Sequence, residues 1–162
     1  MKLNLRGKKR EFLSTVGKIL NIILPTEANT SSSSQKLTAI WLSPDEWMIF
    51  SNNITEKDNN IYEIEEILYN NISKKSLGSV TDVTDQFVMI NLNGTKKFEL
   101  FSFGSPFDFN QFKEKKGSTT QTIINHIDVI IHHKDTNNVN LFVRRSFSEH
   151  LWSWVKDCAS RL

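Results

Sequence analysis

The chain of 162 residues carries one cysteine, three prolines and six glycines. With only Cys158, no intramolecular disulfide can form, and a reducing compartment is favoured. So few glycines leave little from which to build a phosphate-cradling loop. Neither a G-x-G-x-x-G nor a Walker pattern occurs, and no G-x-S-x-G nucleophile elbow is present. No stretch approaches the ~20 apolar residues that span a bilayer. The run Ile19 to Leu24 is interrupted by Asn21 and closed by Pro25, with no cleavage site of a signal peptide, so it reads as a helix end. Excess charge is also scarce. A formal net charge of +2 is too small for a phosphate-tracking surface, which needs many cations in one stripe. The expectation is a cytoplasmic protein that binds neither membrane nor nucleic acid.

What is present is a core. The hydrophobic fraction is 38% and the charged fraction 23%, ordinary for a globular protein. The length fits one domain, residues 1–162, which buries roughly 70% of its unfolded surface without staples. Phe12, Val16, Ile19, Leu20 and Ile23 fall at helical spacing, and the basic residues before them (Lys2, Arg6, Lys8, Lys9, Arg10) read as a short tail. Residues 27–36, with Ser31 to Ser34, read as a mobile loop. Leu37 to Leu42 and Trp47 to Ser51 form a hairpin around Ser43-Pro44-Asp45-Glu46.

Asn60 with Glu63 has capping spacing for a helix through Ile61, Ile64, Leu68 and Ile72. Val80 to Val83 and Phe87 to Leu92 read as strands, followed by an Asn93-Gly94 turn and a short helix from Thr95 to about Phe101. Three further strands follow at Thr119 to His126, Asp128 to His133 and Val139 to Val143. Ser146 and Glu149 have capping-box spacing before a helix with the stripe Phe147, Leu151, Val155, Cys158 and Leu162. Strands and helices alternate too irregularly for a doubly wound sheet. The fold class expected is α+β, a mainly antiparallel sheet with three main helices.

Candidate chemistry is sparse. His126, His132, His133 and His150 lack metal-ligand spacing, and Cys158 lies on an apolar stripe. Asp45 with Glu46, and Asp82 with Asp85, are possible acid–base pairs, but such side chains commonly bond backbone at turns. No catalytic, cofactor-binding or metal residue is assigned. Aromatic content is the anomaly. From Phe98 to Phe112 six phenylalanines crowd a loop-like segment, which must either fold over the core or dock on another protein. Trp152 and Trp154 flank one residue of the last helix, so one of them faces outward.

Three stretches carry a resemblance: Trp41-Leu-Ser-Pro-Asp-Glu-Trp47; Val80-Thr-Asp-Val-Thr-Asp85 running through Asn93-Gly94 to Gly104-Ser-Pro-Phe-Asp-Phe109; and Leu141-Phe-Val-Arg-Arg-Ser-Phe-Ser-Glu-His-Leu-Trp-Ser-Trp154. Their content and order resemble the gamma subunit of heterotetrameric sarcosine oxidase. The chain departs at Ser105, where a cysteine is expected before the proline, and in the extra phenylalanines of that loop. The resemblance implies a non-catalytic structural subunit of a complex that oxidises sarcosine with oxygen to glycine and hydrogen peroxide, releasing formaldehyde or 5,10-methylenetetrahydrofolate. It implies alpha, beta and delta partners. FAD, FMN, NAD and the tetrahydrofolate site would lie on alpha and beta and zinc on delta, none of them on this chain. It also implies a fold similar to the folate-binding domain of the T-protein/YgfZ family. The last helix and the phenylalanine loop then become the expected docking surfaces, through Phe103, Phe107, Phe109, Arg144, Arg145 and Trp152. Two other readings stay open at this point: a stand-alone folate or pterin binder, by fold analogy, and an RNA-binding assembly factor using the basic N-terminus.

Overall fold

A computed structural model describes all residues, Met1 to Leu162. The chain divides into two compact units, Met1–Thr84 and Asp85–Leu162. Each has an antiparallel sheet and its own apolar cluster, the α+β class expected from the sequence. No helix is long and apolar enough to cross a membrane.

The first unit holds strands β1 (Lys2–Arg6), β2 (Ser31–Ser33), β3 (Thr38–Ser43), β4 (Glu46–Phe50) and β5 (Ser79–Asp82), in the order β2-β3-β4-β1-β5. The basic N-terminus is therefore an interior strand and not a tail. Leu3 and Leu5 alternate with Lys2, Asn4 and Arg6, so the leucines point to the core and are fully buried. β1 pairs with β4 from Lys2↔Phe50 to Arg6↔Glu46, and with β5 from Leu3↔Asp82 to Arg6↔Ser79. Gly78 permits the second pairing, because a Cβ there would lie 2.2 Å from the Arg6 carbonyl oxygen. The segment read as a loop contains β2, whose serines pair with Thr38 to Ile40.

Helix α1 (Arg10–Leu20) buries Phe12, Val16 and Leu20 at i, i+4 spacing against this sheet. It stops where Asn21 adopts a left-handed conformation, φ 50°, a role open to asparagine at helix C-termini. The turn breaks the stripe expected from the sequence. Ile22 and Leu24 go inward, while Ile23 is 86% exposed. Trp47 sits in the core beside Phe12, ring centres 5.8 Å apart, and its indole N–H donates to the Pro25 carbonyl at 2.7 Å. Trp41 lies directly opposite Trp47 across the hairpin. Helix α2 (Glu63–Leu68) runs into a π-helical turn at Tyr69–Ser73, and the two bury Leu68 and Ile72. Asn60 does not cap it. Asn59 and Asn60 are both left-handed, and the Glu65 carboxylate accepts from the Tyr62 N–H instead.

The second unit has β6 (Phe87–Asn93), β7 (Thr119–Ile124), β8 (Ile127–His133) and β9 (Asn138–Arg144) in the order β6-β9-β8-β7. Asn125 and His126, φ 49° and 65°, form the two-residue turn between β7 and β8, the geometry of a type I′ hairpin. Ile127, Val129 and Ile131 of β8, with Val139, Leu141 and Val143 of β9, alternate onto one face. That cluster also takes in residues of α3 (Lys97–Ser102), α4 (Phe109–Phe112) and α5 (Ser148–Ala159). α5 buries Leu151, Val155 and Cys158. A 3₁₀ turn at Arg145–Phe147 precedes it, so Ser146 lies inside that turn and the expected cap gives way to Ser148 Oγ donating to the Arg145 carbonyl.

Because Leu5 is fully buried on an interior strand, Leu5→Ala should destabilise the protein by about 2–5 kcal/mol. Urea unfolding followed by Trp fluorescence checks this; a loss under about 1 kcal/mol would mean that β1 is peripheral.

Candidate functional site

The carboxylate pairs are engaged by neighbouring hydroxyl, amide and cationic groups. Asp45 accepts from the Ser43 hydroxyl at 2.8 Å, and Arg6 and Lys8 lie within 3.8 Å. The Ser43 hydrogen bond, aided by these cations, holds its carboxyl below the usual range. Glu46 accepts from Asn4 Nδ2 at 2.7 Å and lies 3.7 Å from Arg6. The acidic hairpin turn thus grips the polar face of β1. Asp82 accepts from the Thr84 N–H at 2.8 Å and pairs with Lys57 at 2.6 Å. Burial would raise the Asp82 carboxyl, but the bonds from Lys57 and Thr84 outweigh it and keep the pKa low. Asp85 receives the Arg145 guanidinium at both its carbonyl, 2.6 Å, and its carboxylate, 3.3 Å.

The histidines separate in space and role. His126 sits in the β7–β8 turn, and His150 Nε2 lies 3.3 Å from Asn125 Nδ2. His133 Nδ1 faces only carbonyls, those of Phe112 and Lys115 at 3.3 and 3.1 Å, so it carries the proton. The buried His132 belongs to a polar chain that starts at the surface: the exposed Asn91 donates through Nδ2 to Asn140 Oδ1, and the buried Asn140 donates through Nδ2 to His132 Nδ1 at 3.2 Å. No group of three or more His, Cys, Asp or Glu side chains converges as a metal site would. Cys158 is buried, which pushes its thiol pKa up.

Most of the phenylalanine-rich segment folds over the core. Phe98 of α3 stands at the centre, 5.9 Å from both Phe109 and Phe112 and 5.1 Å edge-on from His133. Phe107 contacts Phe109 and Phe112 at 5.0 and 5.6 Å. Asp108 caps the short α4 through the Asn110 N–H at 2.9 Å. Gly104 leaves room for Trp154: a Cβ there would stand 2.6 Å from the indole. Ser105, at the departure from the resembled pattern, accepts from the Phe107 N–H at 3.3 Å and lies 3.4 Å from the Thr122 hydroxyl.

The six surface residues expected from the sequence therefore divide. Phe109 is 4% exposed, a core residue held by four aromatic neighbours, and is corrected on that ground. Phe107 is half-buried in the same cluster, so its removal would disturb the fold. Arg145 is exposed but tied to Asp85. Phe103, at 57% exposed, and Trp152, at 43%, are open aromatics. Arg144 is exposed and stacks its guanidinium 5.9 Å from the Phe87 ring, beside a depression of about 520 Å³ lined also by Ile123, Asp128 and Phe142. The sequence reading missed Ile23, because a helical stripe continued to Pro25 hides the left-handed Asn21.

Burial, reinforced by His133 and Lys134, lowers the His132 pKa from 6.5 to about 4. A depressed histidine pKa means that the unfolded chain takes up a proton the folded chain refuses. The stability from neutral His132 is therefore full above pH 6.5 and lost as pH falls toward 4, on the order of 3 kcal/mol over that window. Urea unfolding at pH 7 and pH 5 should show this slope, and His132→Gln should flatten it. An equal slope in the variant would assign it to other groups.

The family model described as sarcosine oxidase, gamma subunit family matches residues 7–161. No curated protein sequence matches the chain. Among solved structures, it is similar to a chain of the heterotetrameric sarcosine oxidase from Corynebacterium sp. U-96 in complex with pyrrole 2-carboxylate. The TM-score is 0.85 at 18% identity, covering 99% of this chain and 79% of that one. That likeness establishes the shared fold.

Proposed function

Because the chain belongs to the sarcosine oxidase gamma subunit family, we propose that it is a structural subunit of a heterotetrameric sarcosine oxidase, assembled with alpha, beta and delta subunits. The family match across residues 7–161, which runs through both compact units, carries this reading. On it, both units act together as one gamma module. The partners hold FAD, FMN, NAD, tetrahydrofolate and zinc, and they perform the oxidative demethylation of sarcosine. This chain supplies contact surface and no reacting group. The assembly works in the cytoplasm, where the lone buried thiol stays reduced.

The free aromatic and cationic groups support a contact role. Phe103 and Trp152 expose aromatic rings, and interface hot spots are rich in such residues. Arg144 has its planar fork free of any carboxylate of this chain, so it is open to bidentate pairing with a partner's Asp or Glu. Arg145 serves the fold instead.

Co-expression of this chain, carrying an affinity tag, with the other subunits of its source tests the reading. Flavin absorbance and sarcosine-dependent peroxide should co-purify with it. Phe103→Ala and Arg144→Ala should each lower recovery of the partners while leaving the thermal midpoint of the isolated chain unchanged. A colourless chain recovered alone would overturn the assignment and make tetrahydrofolate binding by the isolated chain the next measurement.

A further inference from the structure

In the second unit, α5 and the turn from β6 into α3 bound a groove of about 390 Å³. The half-buried Leu92 and Leu162 supply apolar surface over the buried Leu100 and Val155, and Trp152 stands on its rim. The ionisable side chains lining it are three lysines, and no Asp or Glu lines it. The lysines are not equivalent. Lys97 is buried and donates to the carbonyls of Gly94 and Thr136 at 3.0 and 2.6 Å, which ties the β6 turn to the β8–β9 turn. Lys96 donates to the main-chain oxygen of Leu162 at 2.5 Å. Lys156 is exposed, pairs with no carboxylate of this chain, and lies 6.0 Å from the Trp152 ring centre.

An apolar trough, an exposed indole at its rim and one uncommitted ammonium next to that indole form a complementary set. The apolar walls take aliphatic or aromatic side chains. The ammonium takes a carboxylate, and desolvation by a covering chain strengthens that pairing. With Lys96 taken by the Leu162 main-chain oxygen and Lys97 by two carbonyls, the exposed Lys156 sets the local charge and disfavours a basic occupant. We infer that this groove receives an acidic amphipathic segment of another subunit, its apolar side chains against Trp152 and Leu92 and an Asp or Glu on Lys156. The inference rests on the subunit reading above and deepens it by giving one contact its chemistry.

The test uses the assembled complex. A zero-length carbodiimide couples a lysine amine to a carboxylate only when the two touch, and peptide mass spectrometry locates the bond. Expected is a link from Lys156 to an Asp or Glu of another subunit. Lys156→Glu should weaken retention of the partners by about tenfold or more, and Lys156→Gln by less, with the difference between the two shrinking at high salt. Trp152→Ala should weaken it by a similar factor. Both side chains are exposed, so the melting curve of each isolated variant should match the parent chain. An assembled complex that gives no such link and retains the Lys156→Glu, Trp152→Ala double variant fully would overturn the groove while leaving the subunit reading intact. A chain that brings down no other subunit would overturn both.

Discussion

The pairing of Lys2–Arg6 between β4 and β5 is the constraint on which the first unit depends. Without that strand the sheet would be a three-stranded meander with β5 left alone, and Leu3 and Leu5 would leave the cluster that Phe12, Val16 and Trp47 complete. The Ser43-Pro44-Asp45-Glu46 turn is built to hold it. Asp45 and Glu46 face Arg6, Glu46 takes Asn4, and the Asp45 carbonyl accepts from the Gly7 N–H at 3.0 Å. Exposed ion pairs contribute little singly, but hydrogen bonds and charges gathered on one strand end specify its register. The same contacts remove Arg6 from any basic arm that could track phosphate, which weakens the RNA-binding reading on physical grounds.

In the second unit the equivalent ordering element is the ring cluster centred on Phe98. Its edge-to-face contacts with Phe101, Phe112 and His133 fix α3, α4 and the end of β8 relative to one another. Six phenylalanines in a loop suggested a docking surface because exposed aromatics demand an explanation. Five of them find it inside this unit, leaving Phe103 outside. The loop is therefore a lid on its own core, and the surface available to other molecules is narrower and more specific than aromatic count alone implies.

The legibility of the chain follows the range of the interactions involved. β6 to β9 were readable to within a residue or two, since alternation and turn residues are local signals. The middle of the α5 stripe, Leu151, Val155 and Cys158, was equally plain, but Phe147, expected to open it, lies in the preceding 3₁₀ turn and is 50% exposed. β1 was missed because its three polar positions are two cations and an asparagine, and five basic residues in the first ten drew attention from the alternation of Leu3 and Leu5. Ile23 was misplaced because a single left-handed asparagine ends α1 earlier than Pro25 would. Arg144 and Arg145 are neighbours in sequence and looked alike. Only the approach of Asp85, sixty residues away along the chain, separates a committed arginine from a free one. Long-range pairing of that kind has no signature in composition or spacing.

The buried polar groups sort by the same logic. The exposed Asn91 and the buried Asn140 and His132 form a chain across three adjacent strands, where apolar residues would have been simpler to bury at the last two positions. A satisfied polar chain contributes little net stability, yet any slip of β9 against β6 or β8 would leave the buried Asn140 and His132 unpaired at a cost of about 1–3 kcal/mol each. It therefore penalises wrong registers more than it stabilises the right one. Lys97 acts likewise at the adjacent end of the sheet, pinning two turns through their carbonyls. On the proposed subunit role, contact surfaces need to be held at fixed spacing. In this unit, register-fixing polar contacts do that in the sheet whose strand β9 ends in Arg144 and which precedes the helix α5 that carries Trp152 and Lys156.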